Sequence, residues 1–515
     1  MRSTTMYWQV VCLGTAVGIS SGAGYGCSRM AEDCENILCS EPTGSGGNGS
    51  GGSGGGTPVG CVPSLNADPV GDECGVFVGG DAANDGNAGS KSAPLATIGA
   101  AIVAASAKGS RVYACAQEFP EAIEVPGGME IYGGLDCIGD WKYVKGQQTT
   151  IAPGAGLVPV TLLGGEGARL EDVIVRAANA AVAGGSSIAV LAREGAEAEL
   201  VRSELIAGDG REGAAGDDGG AQLAAAESGE AGQPGCGNDA NPMTPPDGGP
   251  AVVNMCDGMM SVGAKGGDGG LAANGSGQNG NAGDRGTGGT AGIGEAAVAC
   301  LVGGQGDSGV VGTPGTGGGE DGFLGTLGSD GIAGVAGLPG LSGEPGKGGG
   351  GGGGSKATGT CNGAGGGSGG AGGCGGKAGT GGQAGGSSIA LVSFNAHITL
   401  TEVSLTVGIG ANGGRGGNGQ QGQFGGQNGD GGMASGSGEN PGCNGGVGGK
   451  GGNGGSGGGG RGGHALGMAF KGTPPLGVPT LASEGAAGLG GYGGTNGADQ
   501  GGEGAAGVAA PSQEF

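Results

Sequence analysis

Short apolar segments separated by turn residues fill residues 76–176 of the chain. They are rich in Val, Ile and Leu, and Gly or Pro interrupts the polar gaps between them, which is typical of short β-strands. The predicted strands are 76–78, 111–116, 121–125, 130–132, 149–151, 159–163 and 169–176. One stretch has helical spacing instead, because Ile98, Ala101, Ile102 and Ala105 fall on one face. We expect a helix over 98–108, capped by Thr97 and ended by Gly109.

A different pattern governs the rest of the chain, where glycine recurs at every third position. Of 515 residues, 149 are Gly. The clearest series is Gly410, Gly413, Gly416, Gly419, Gly422 and Gly425. Neither an α-helix nor a strand has this period. It fits a backbone with three residues per turn that packs against other backbone.

The two patterns combine into an internal repeat. Residues 185–189 recur as 386–390, and a looser third copy starts at 462. Residues 203–205 correspond to 403–405, and a glycine series follows each copy. Each unit is therefore predicted to be a pair of β-segments followed by a period-three tract.

The glycine tracts allow three interpretations. A collagen triple helix requires three chains and many imino acids, whereas only Pro339 and Pro345 support the regular stretch 322–346. Disorder is possible because ordering glycine costs much entropy. A bundle of extended polyglycine helices, stapled by cysteines that each contribute about 2–4 kcal/mol, is the third interpretation.

The short strands and scarce aromatic residues favour a coil of parallel strands that buries aliphatic stacks. Cys115 and Cys137 lie 22 residues apart, about one turn of such a coil, so we predict that they form a disulfide. Residues 94–102, 112–115, 118–121 and 131–134 resemble the entry of pectin-lyase-like right-handed β-helix proteins. The resemblance implies an all-β fold: a right-handed parallel β-helix with an N-terminal capping helix, here carrying glycine-rich period-three insertions.

The N-terminus predicts export and a lipid anchor. Arg2 precedes the apolar run 10–19, and Gly24-Tyr25-Gly26-Cys27 resembles a bacterial lipoprotein signal in which Cys27 is lipidated. Ser28 resembles signals for delivery to the outer membrane. Residues 40–60 are typical of a flexible Gly/Ser tether.

Cysteine parity is consistent with export, because twelve cysteines remain after removal of Cys12 and lipidation of Cys27. The disulfide candidates are Cys34, Cys39, Cys61, Cys74, Cys115, Cys137, Cys236, Cys256, Cys300, Cys361, Cys374 and Cys443. An even number in an exported chain predicts up to six disulfides, whose pairing stays open. Their spacing without nearby His is a poor zinc pattern, so no metal is expected.

Candidate chemistry is sparse. The two histidines, His397 and His464, have no Cys or Ser partner at a meaningful spacing, and we expect exposed or half-buried structural roles. Glu171 and Asp172, near Arg176, form the nearest acidic cluster. Strand alternation predicts that these carboxylates point to opposite faces and are solvated. The oxygen-rich loop of Asp81, Asn84, Asp85 and Asn87 matches no calcium motif and favours turn chemistry over a Ca²⁺ site.

These features predict a non-enzymatic envelope lipoprotein. The net charge of −25 disfavours nucleic acid and anionic membrane surfaces as partners. The predicted segments are signal peptide 1–26, lipidated Cys and tether 27–60, β-helix entry 61–207, glycine-rich insertion 208–386, β-repeat 387–407, glycine tract 408–461 and third repeat 462–515. The whole chain is similar to glycine-rich, PGRS-like surface lipoproteins of Gram-negative bacteria.

The signal, the even number of cysteines, the strand pattern and the lack of catalytic motifs predict a structural, adhesive or surface-interaction role without catalytic residues or a cofactor. The expected partners are the outer membrane, through the lipid anchor, and an extracellular polysaccharide or protein. The alternative is a carbohydrate-active β-helix, either a polysaccharide lyase or hydrolase or a carbohydrate-binding protein. A catalytic groove of the first kind would bring acidic residues together, often with Ca²⁺.

Overall fold

A computed structural model describes residues 59–66, 68–108, 111–236, 243–435 and 438–515. The predicted lipidation site Cys27, the tether up to residue 58, and the candidates Cys34 and Cys39 lie outside the described residues. Within the described ranges, no helix is both long and apolar enough to cross a bilayer.

Regular secondary structure in the described residues is mostly strand, with one α-helix. In chain order the elements are β1 (Val76–Val78), α1 (Ile98–Ser106), β2 (Arg111–Cys115), β3 (Glu118–Phe119), β4 (Ile123–Val125), β5 (Glu130–Asp136), β6 (Lys142–Tyr143), β7 (Thr149–Ile151), β8 (Val160–Leu162), β9 (Gly165–Glu171), β10 (Val173–Arg176), β11 (Ser187–Ala192), β12 (Ala196–Val201), β13 (Glu204–Ile206), β14 (Val252–Cys256), β15 (Met259–Gly263), β16 (Thr326–Gly328), β17 (Gly331–Ala333), β18 (Ser388–Phe394), β19 (His397–Thr401), β20 (Ser404–Thr406), β21 (Ala465–Lys471), β22 (Thr480–Ser483) and β23 (Ala509–Glu514). The predicted helix is present but ends two residues earlier. Its Thr97 cap is confirmed, because the Thr97 hydroxyl accepts a hydrogen bond from the Ala100 N–H at 3.2 Å.

Three parallel sheets organise these strands. The first sheet has the order β1-β2-β5-β9-β12-β19, with β6 antiparallel beside β5. The second has the order β22-β20-β13-β10-β7-β3, and the third β23-β21-β18-β11-β8-β4. From β2 to β21 the chain visits the first, second and third sheets in turn and returns to the first. We call this array the strand stack.

Aliphatic side chains fill the strand stack in aligned rows. The register places Val76, Val112, Ile131, Leu170, Leu200 and Leu400 in line across the first sheet. The corresponding row of the second sheet is Phe119, Ile151, Val175, Leu205, Leu405 and Leu481. All but Leu481 are buried, so stacking of like side chains supplies the apolar burial that stabilises this region.

The internal repeat is confirmed as a set of neighbouring strands. Ser187 and Ile188 pair in register with Ser388 and Ile389, which pair in turn with the third copy in β21. β13 and β20 are likewise adjacent in the second sheet. Segments 201 residues apart in sequence therefore lie side by side.

The glycine tracts leave the strand stack at one place in successive turns. They connect a second-sheet strand to a third-sheet strand, between β13 and β18, β20 and β21, and β22 and β23. The tracts are ordered against one another, and we call their assembly the glycine bundle. The longest tract also contains two antiparallel hairpins that the sequence did not predict, β14–β15 and β16–β17.

Backbone hydrogen bonds of period three hold the glycine bundle together. In the central segment 363–385, every third N–H from Gly367 onward donates to carbonyls of 443–461, at 2.8–3.0 Å. N–H groups one position further along donate at four places to 214–230, and those at the third position donate to 264–270. Each of the three positions in a turn therefore faces a different neighbouring segment.

Glycine is required at many positions of this lattice, because two backbones approach each other there too closely for a side chain. A Cβ at Gly373 would overlap the carbonyl oxygen of Gln423, and one at Gly376 would overlap that of Gln420. Neither neighbour can yield by rotating a side chain, since the clashing atom belongs to the main chain. The period-three glycine pattern in the sequence therefore results from backbone-to-backbone packing.

Five disulfides join the described cysteines. The predicted Cys115–Cys137 bond is present, and Cys61–Cys74 closes a short loop in front of the first sheet. The three bonds in the glycine bundle are Cys236–Cys361, Cys256–Cys374 and Cys300–Cys443, with sequence separations of 125, 118 and 143. These three bonds tie the long insertion to itself and to the following tract.

Candidate functional site

A ladder of alternating charges crosses the outer face of the first sheet. The register aligns Arg111, Glu130, Arg169 and Glu199 on β2, β5, β9 and β12. Arg111 Nε lies 2.9 Å from Glu130 Oε2, and Arg169 pairs with Glu199. Because neighbours in the ladder have opposite charge, cross-strand attraction stabilises the parallel register.

A second cluster lies at the corner after β9, where the sequence-based prediction was wrong. Glu171 and Asp172 do not point apart into solvent; they converge on Arg202 and are 1% and 4% exposed. Arg202 pairs with Glu171, and its Nη2 lies 2.9 Å from Asp172 Oδ2. Arg176, the basic residue that lies near them in sequence, is exposed at the end of β10.

Backbone conformation explains the error. Asp172 has φ of +56°, so the predicted strand 169–176 breaks there into β9 and β10. Arg202 and Glu402 repeat this left-handed corner after β12 and β19, with φ of +44° and +53°. Alternation of side chains holds only within a continuous strand, and a left-handed residue at its end turns the next side chain toward the same corner.

The electrostatics of the corner are those of a closed ion-pair network. Burial alone would raise the pKa of Glu171, but hydrogen bonds from Ser64 and Arg169 and the charges of Arg169 and Arg202 hold that pKa below its usual value. Burial raises the pKa of Asp172 despite its bonds to Arg202. Opposite shifts in two carboxyl groups are found in acid–base pairs. Here both groups are buried and bound by arginine, so a substrate does not reach them.

The corner also holds the segment that precedes the strand stack. Ser64 donates a hydrogen bond to Glu171, and the Tyr113 hydroxyl donates to the Cys61 carbonyl at 2.7 Å. Behind this segment, Phe77, Tyr113 and Tyr132 stack at centroid distances of 5.3 and 5.5 Å. The segment that precedes the strand stack is therefore clamped by these polar contacts and lies against the aromatic stack.

An open groove adjoins the charge ladder. Its volume is about 430 Å³, and its lining includes Glu130, Arg169, Glu197, Glu199 and His397. His397 is exposed and pairs in register with Glu197 across β12 and β19. Among the described residues, this is where a histidine, an arginine and several carboxylates meet at an accessible surface.

His464 has a structural position, but it is fully buried rather than exposed or half-buried. Its Nδ1 accepts a hydrogen bond from the Val508 N–H at 3.0 Å, and its Nε2 lies 2.9 Å from the Leu324 carbonyl. Burial is the main factor that lowers the pKa of His464 below its ordinary value. The ring joins β21, at the exit of one glycine tract, to the last strand and to the β16–β17 region.

The oxygen-rich loop is used for turns, as the sequence predicted. The Asp85 carboxylate accepts hydrogen bonds from the N–H groups of Ala96 and Thr97 at 2.8 and 2.9 Å. Asn84 accepts one from the Gly86 N–H at 2.8 Å, and the Asn87 amide donates to the Pro94 carbonyl at 2.9 Å. These side chains order the loop before α1.

One group in the described residues has the composition of a metal site. Cys236, Cys361 and Glu439 bring two sulfurs and a carboxylate within 4.8 Å of one another. The two sulfurs are joined in a disulfide, so they do not offer the thiolates that zinc requires. This group is therefore a disulfide bond that lies next to a carboxylate.

No family model, curated protein or solved structure matches the chain. The pectin-lyase-like and PGRS-like resemblances thus stay predictions based on the residues that carry them.

Proposed function

We propose that the chain is a non-enzymatic cell-envelope lipoprotein with a structural or adhesive role. The strand stack is, in this proposal, a right-handed parallel β-helix, and the glycine bundle is a set of packed polyglycine II helices. Two observations support the architecture: successive strands visit three parallel sheets in turn, and inter-segment hydrogen bonds recur every third residue.

The observation that carries the functional proposal is the regular arrangement of exposed side chains on the surface of the glycine bundle. Most inward positions are glycine, although a few small or amide side chains such as Ala371 and Gln423 are also buried. Many of the other side chains project outward in rows with about 9 Å between successive members, given 3.1 Å per residue. Exposed members include Val310, Leu338, Leu341, Phe424 and Tyr492. A main-chain lattice closed by three long-range disulfides holds these rows in fixed positions, which suits display to a partner.

The anchor would place this surface on the outer membrane. Cys27 precedes the tether, and the clamp at Ser64 and Tyr113 fixes the start of the strand stack, so a pull on the tether is borne by the first sheet.

The test is lipidation and surface exposure in a Gram-negative host. Cells expressing the full chain are labelled with a radioactive fatty acid, fractionated, and treated with protease while intact. We expect a labelled outer-membrane protein that Cys27→Ser leaves unlabelled and releases from the membrane, with Cys12→Ser as the matched control that keeps the label. An unlabelled wild-type chain, or one retained in the cytoplasm, would contradict the proposal.

A carbohydrate-active enzyme is the second candidate, and the groove beside the charge ladder favours it. The Glu130, Glu197 and Glu199 carboxylates there adjoin Arg169 and His397. Purified protein would be incubated with acidic and neutral polysaccharides, with and without Ca²⁺. The lipoprotein proposal predicts that this incubation produces no new polysaccharide chain ends. Cleavage that Glu199→Gln abolishes would favour the enzyme instead.

A further inference from the structure

A second groove lies on the glycine bundle, away from the charge ladder and the corner of the strand stack. It has a volume of about 500 Å³ and forms where four tract segments run side by side. Its floor is main chain, lined by glycines such as Gly413, Gly491 and Gly504. Hydrogen bonds between segments fix this floor: Gly413 N–H donates to the Leu489 carbonyl at 2.9 Å, and Gly504 N–H to the Gly491 carbonyl at 2.9 Å.

Exposed apolar side chains line one side of this groove. Leu489 and Tyr492 are three residues apart, in one row of the tract, and are 67% and 70% exposed. The aromatic residues of the strand stack behave differently, because Phe77, Tyr113 and Tyr132 are buried. A rigid tyrosine ring kept in solvent beside a flat backbone floor offers an apolar face for stacking.

Three polar side chains around the groove are free to bind a ligand, whereas Asn412 already accepts a hydrogen bond from the Leu489 N–H at 2.9 Å. Among the described residues, the Glu212 and Glu503 carboxylates and the Tyr492 hydroxyl form no hydrogen bond or ion pair. Arg415 Nη2 makes one contact, 3.5 Å from Asp218 Oδ1. The Arg415 side chain is half exposed. In the charge ladder, by contrast, opposite charges on neighbouring strands neutralise one another.

This combination is the chemistry of sugar recognition. A pyranose ring has an apolar face that stacks on an aromatic side chain, and hydroxyl groups that bond to carboxylates and to guanidinium groups. Two carboxylates against one guanidinium, on a chain of net charge −25, repel uronic acids and other acidic sugars. The same excess of carboxylate attracts the ammonium group of an amino sugar.

We propose that this Tyr492 groove binds a glycan of neutral or amino sugars, with one ring stacked on Tyr492 and its polar groups held by Glu212, Glu503 and Arg415. The proposal rests on the adhesive role proposed above and names the partner class. It places binding on the glycine bundle rather than on the strand stack.

The experiment measures binding of the purified, disulfide-bonded protein to three oligosaccharides by calorimetry. The probes are cellotetraose, which is neutral, a chitosan tetramer, which carries amino groups, and tetragalacturonate, which is acidic. We expect binding to one or both of the first two. Tyr492→Ala should weaken it about tenfold or more, through loss of the stacking surface.

Two variants control the measurement. Phe424→Ala removes another exposed aromatic ring of the glycine bundle, outside the groove, and should leave affinity unchanged. Glu503→Gln should weaken binding of the chitosan tetramer and spare cellotetraose. The proposal is overturned by absence of binding to both expected probes, by tighter binding to tetragalacturonate, or by affinity that Tyr492→Ala leaves intact. A lipidated, surface-exposed protein that binds none of the probes would remove this inference and leave the adhesive role standing.

Discussion

The strand stack and the glycine bundle are packed by different parts of the chain: side chains pack the stack, and the main chain packs most of the bundle. In the stack, side chains fill the space between sheets, and Leu170, Leu200 and Leu205 are fully buried in aligned rows. In the bundle, the main chain fills that space itself. Apolar burial therefore stabilises one region, whereas close-packed hydrogen bonds stabilise the other.

The difference extends to the surfaces. The stack places its arginines and carboxylates in pairs along a ladder and a buried corner, where they stabilise register and the clamp at Ser64. The bundle buries mainly glycine and a few small or amide side chains such as Ala371 and Gln423, whereas Phe424 and Tyr492 are exposed. In the proposed adhesive role, the stack would be the support and the bundle the surface that meets a partner.

The largest effect is expected from adding one methyl group in the bundle. Gly373→Ala places a Cβ against the Gln423 carbonyl and separates two hydrogen-bonded segments. Overpacking and the broken hydrogen bonds together should lower the free energy of unfolding by about 4 kcal/mol. Urea denaturation followed by far-ultraviolet circular dichroism measures this loss.

Gly154→Ala is the matched control. Gly154 has φ outside the left-handed region, and a Cβ there meets nothing within 4 Å. We expect a change within about 0.5 kcal/mol. Equal midpoints for the two variants would mean that the bundle is loosely packed in solution, and the comparison between the regions would fail.

A slightly smaller effect is expected from removing apolar volume in the stack. Leu205→Ala leaves a cavity in the aligned row of the second sheet and should cost about 3 kcal/mol. Leu341→Ala removes the same atoms from a bundle side chain that is 63% exposed and should change stability by less than about 0.5 kcal/mol. If Leu341→Ala proved as costly as Leu205→Ala, side chains would stabilise the bundle as well.

Most of the stack was predictable from sequence, because most of its strands carry a local signal, although the two-residue strands β3 and β6 were not predicted. Val112 and Tyr113, or Thr149 and Ile151, are β-forming residues bounded by turns. The pairing of Cys115 with Cys137 followed from the length of one turn. The left-handed corner at Asp172 was not predictable, since a non-glycine residue with positive φ gives little sequence signal.

The bundle was predictable only in its period. Glycine at every third position indicates that backbones pack, but it does not identify which segment lies beside which. The neighbours of 363–385 include 214–230 and 443–461, and any two tracts of equal period fit each other equally well by pattern alone. The disulfide partners of Cys236, Cys256 and Cys300 were open for the same reason. The Tyr492 groove depends on that lateral arrangement and was therefore missed.

The smallest effect concerns the joint between the two regions, where His464 ends a glycine tract and precedes β21. The neutral ring satisfies both neighbours, because Nδ1 accepts from the Val508 N–H while Nε2–H donates to the Leu324 carbonyl. Protonation of Nδ1 would turn it into a donor that faces the Val508 N–H, so two donors would lie next to each other. Burial first, and the nearby Arg461 charge as well, lower the pKa of His464 below its ordinary value.

The sign of the pH effect follows from that lowered pKa. The unfolded chain binds a proton near pH 6.5 while the folded chain does not, so stability is retained above that pH and falls as pH decreases below it. The loss approaches about 1.4 kcal/mol per pH unit until the folded-state pKa is reached. Urea midpoints between pH 8 and pH 5 should show this decline in the wild type and in His397→Gln, which removes the exposed histidine. His464→Gln should flatten the decline. A decline of equal slope in His464→Gln would assign the pH dependence to another group and leave the joint between stack and bundle insensitive to protons.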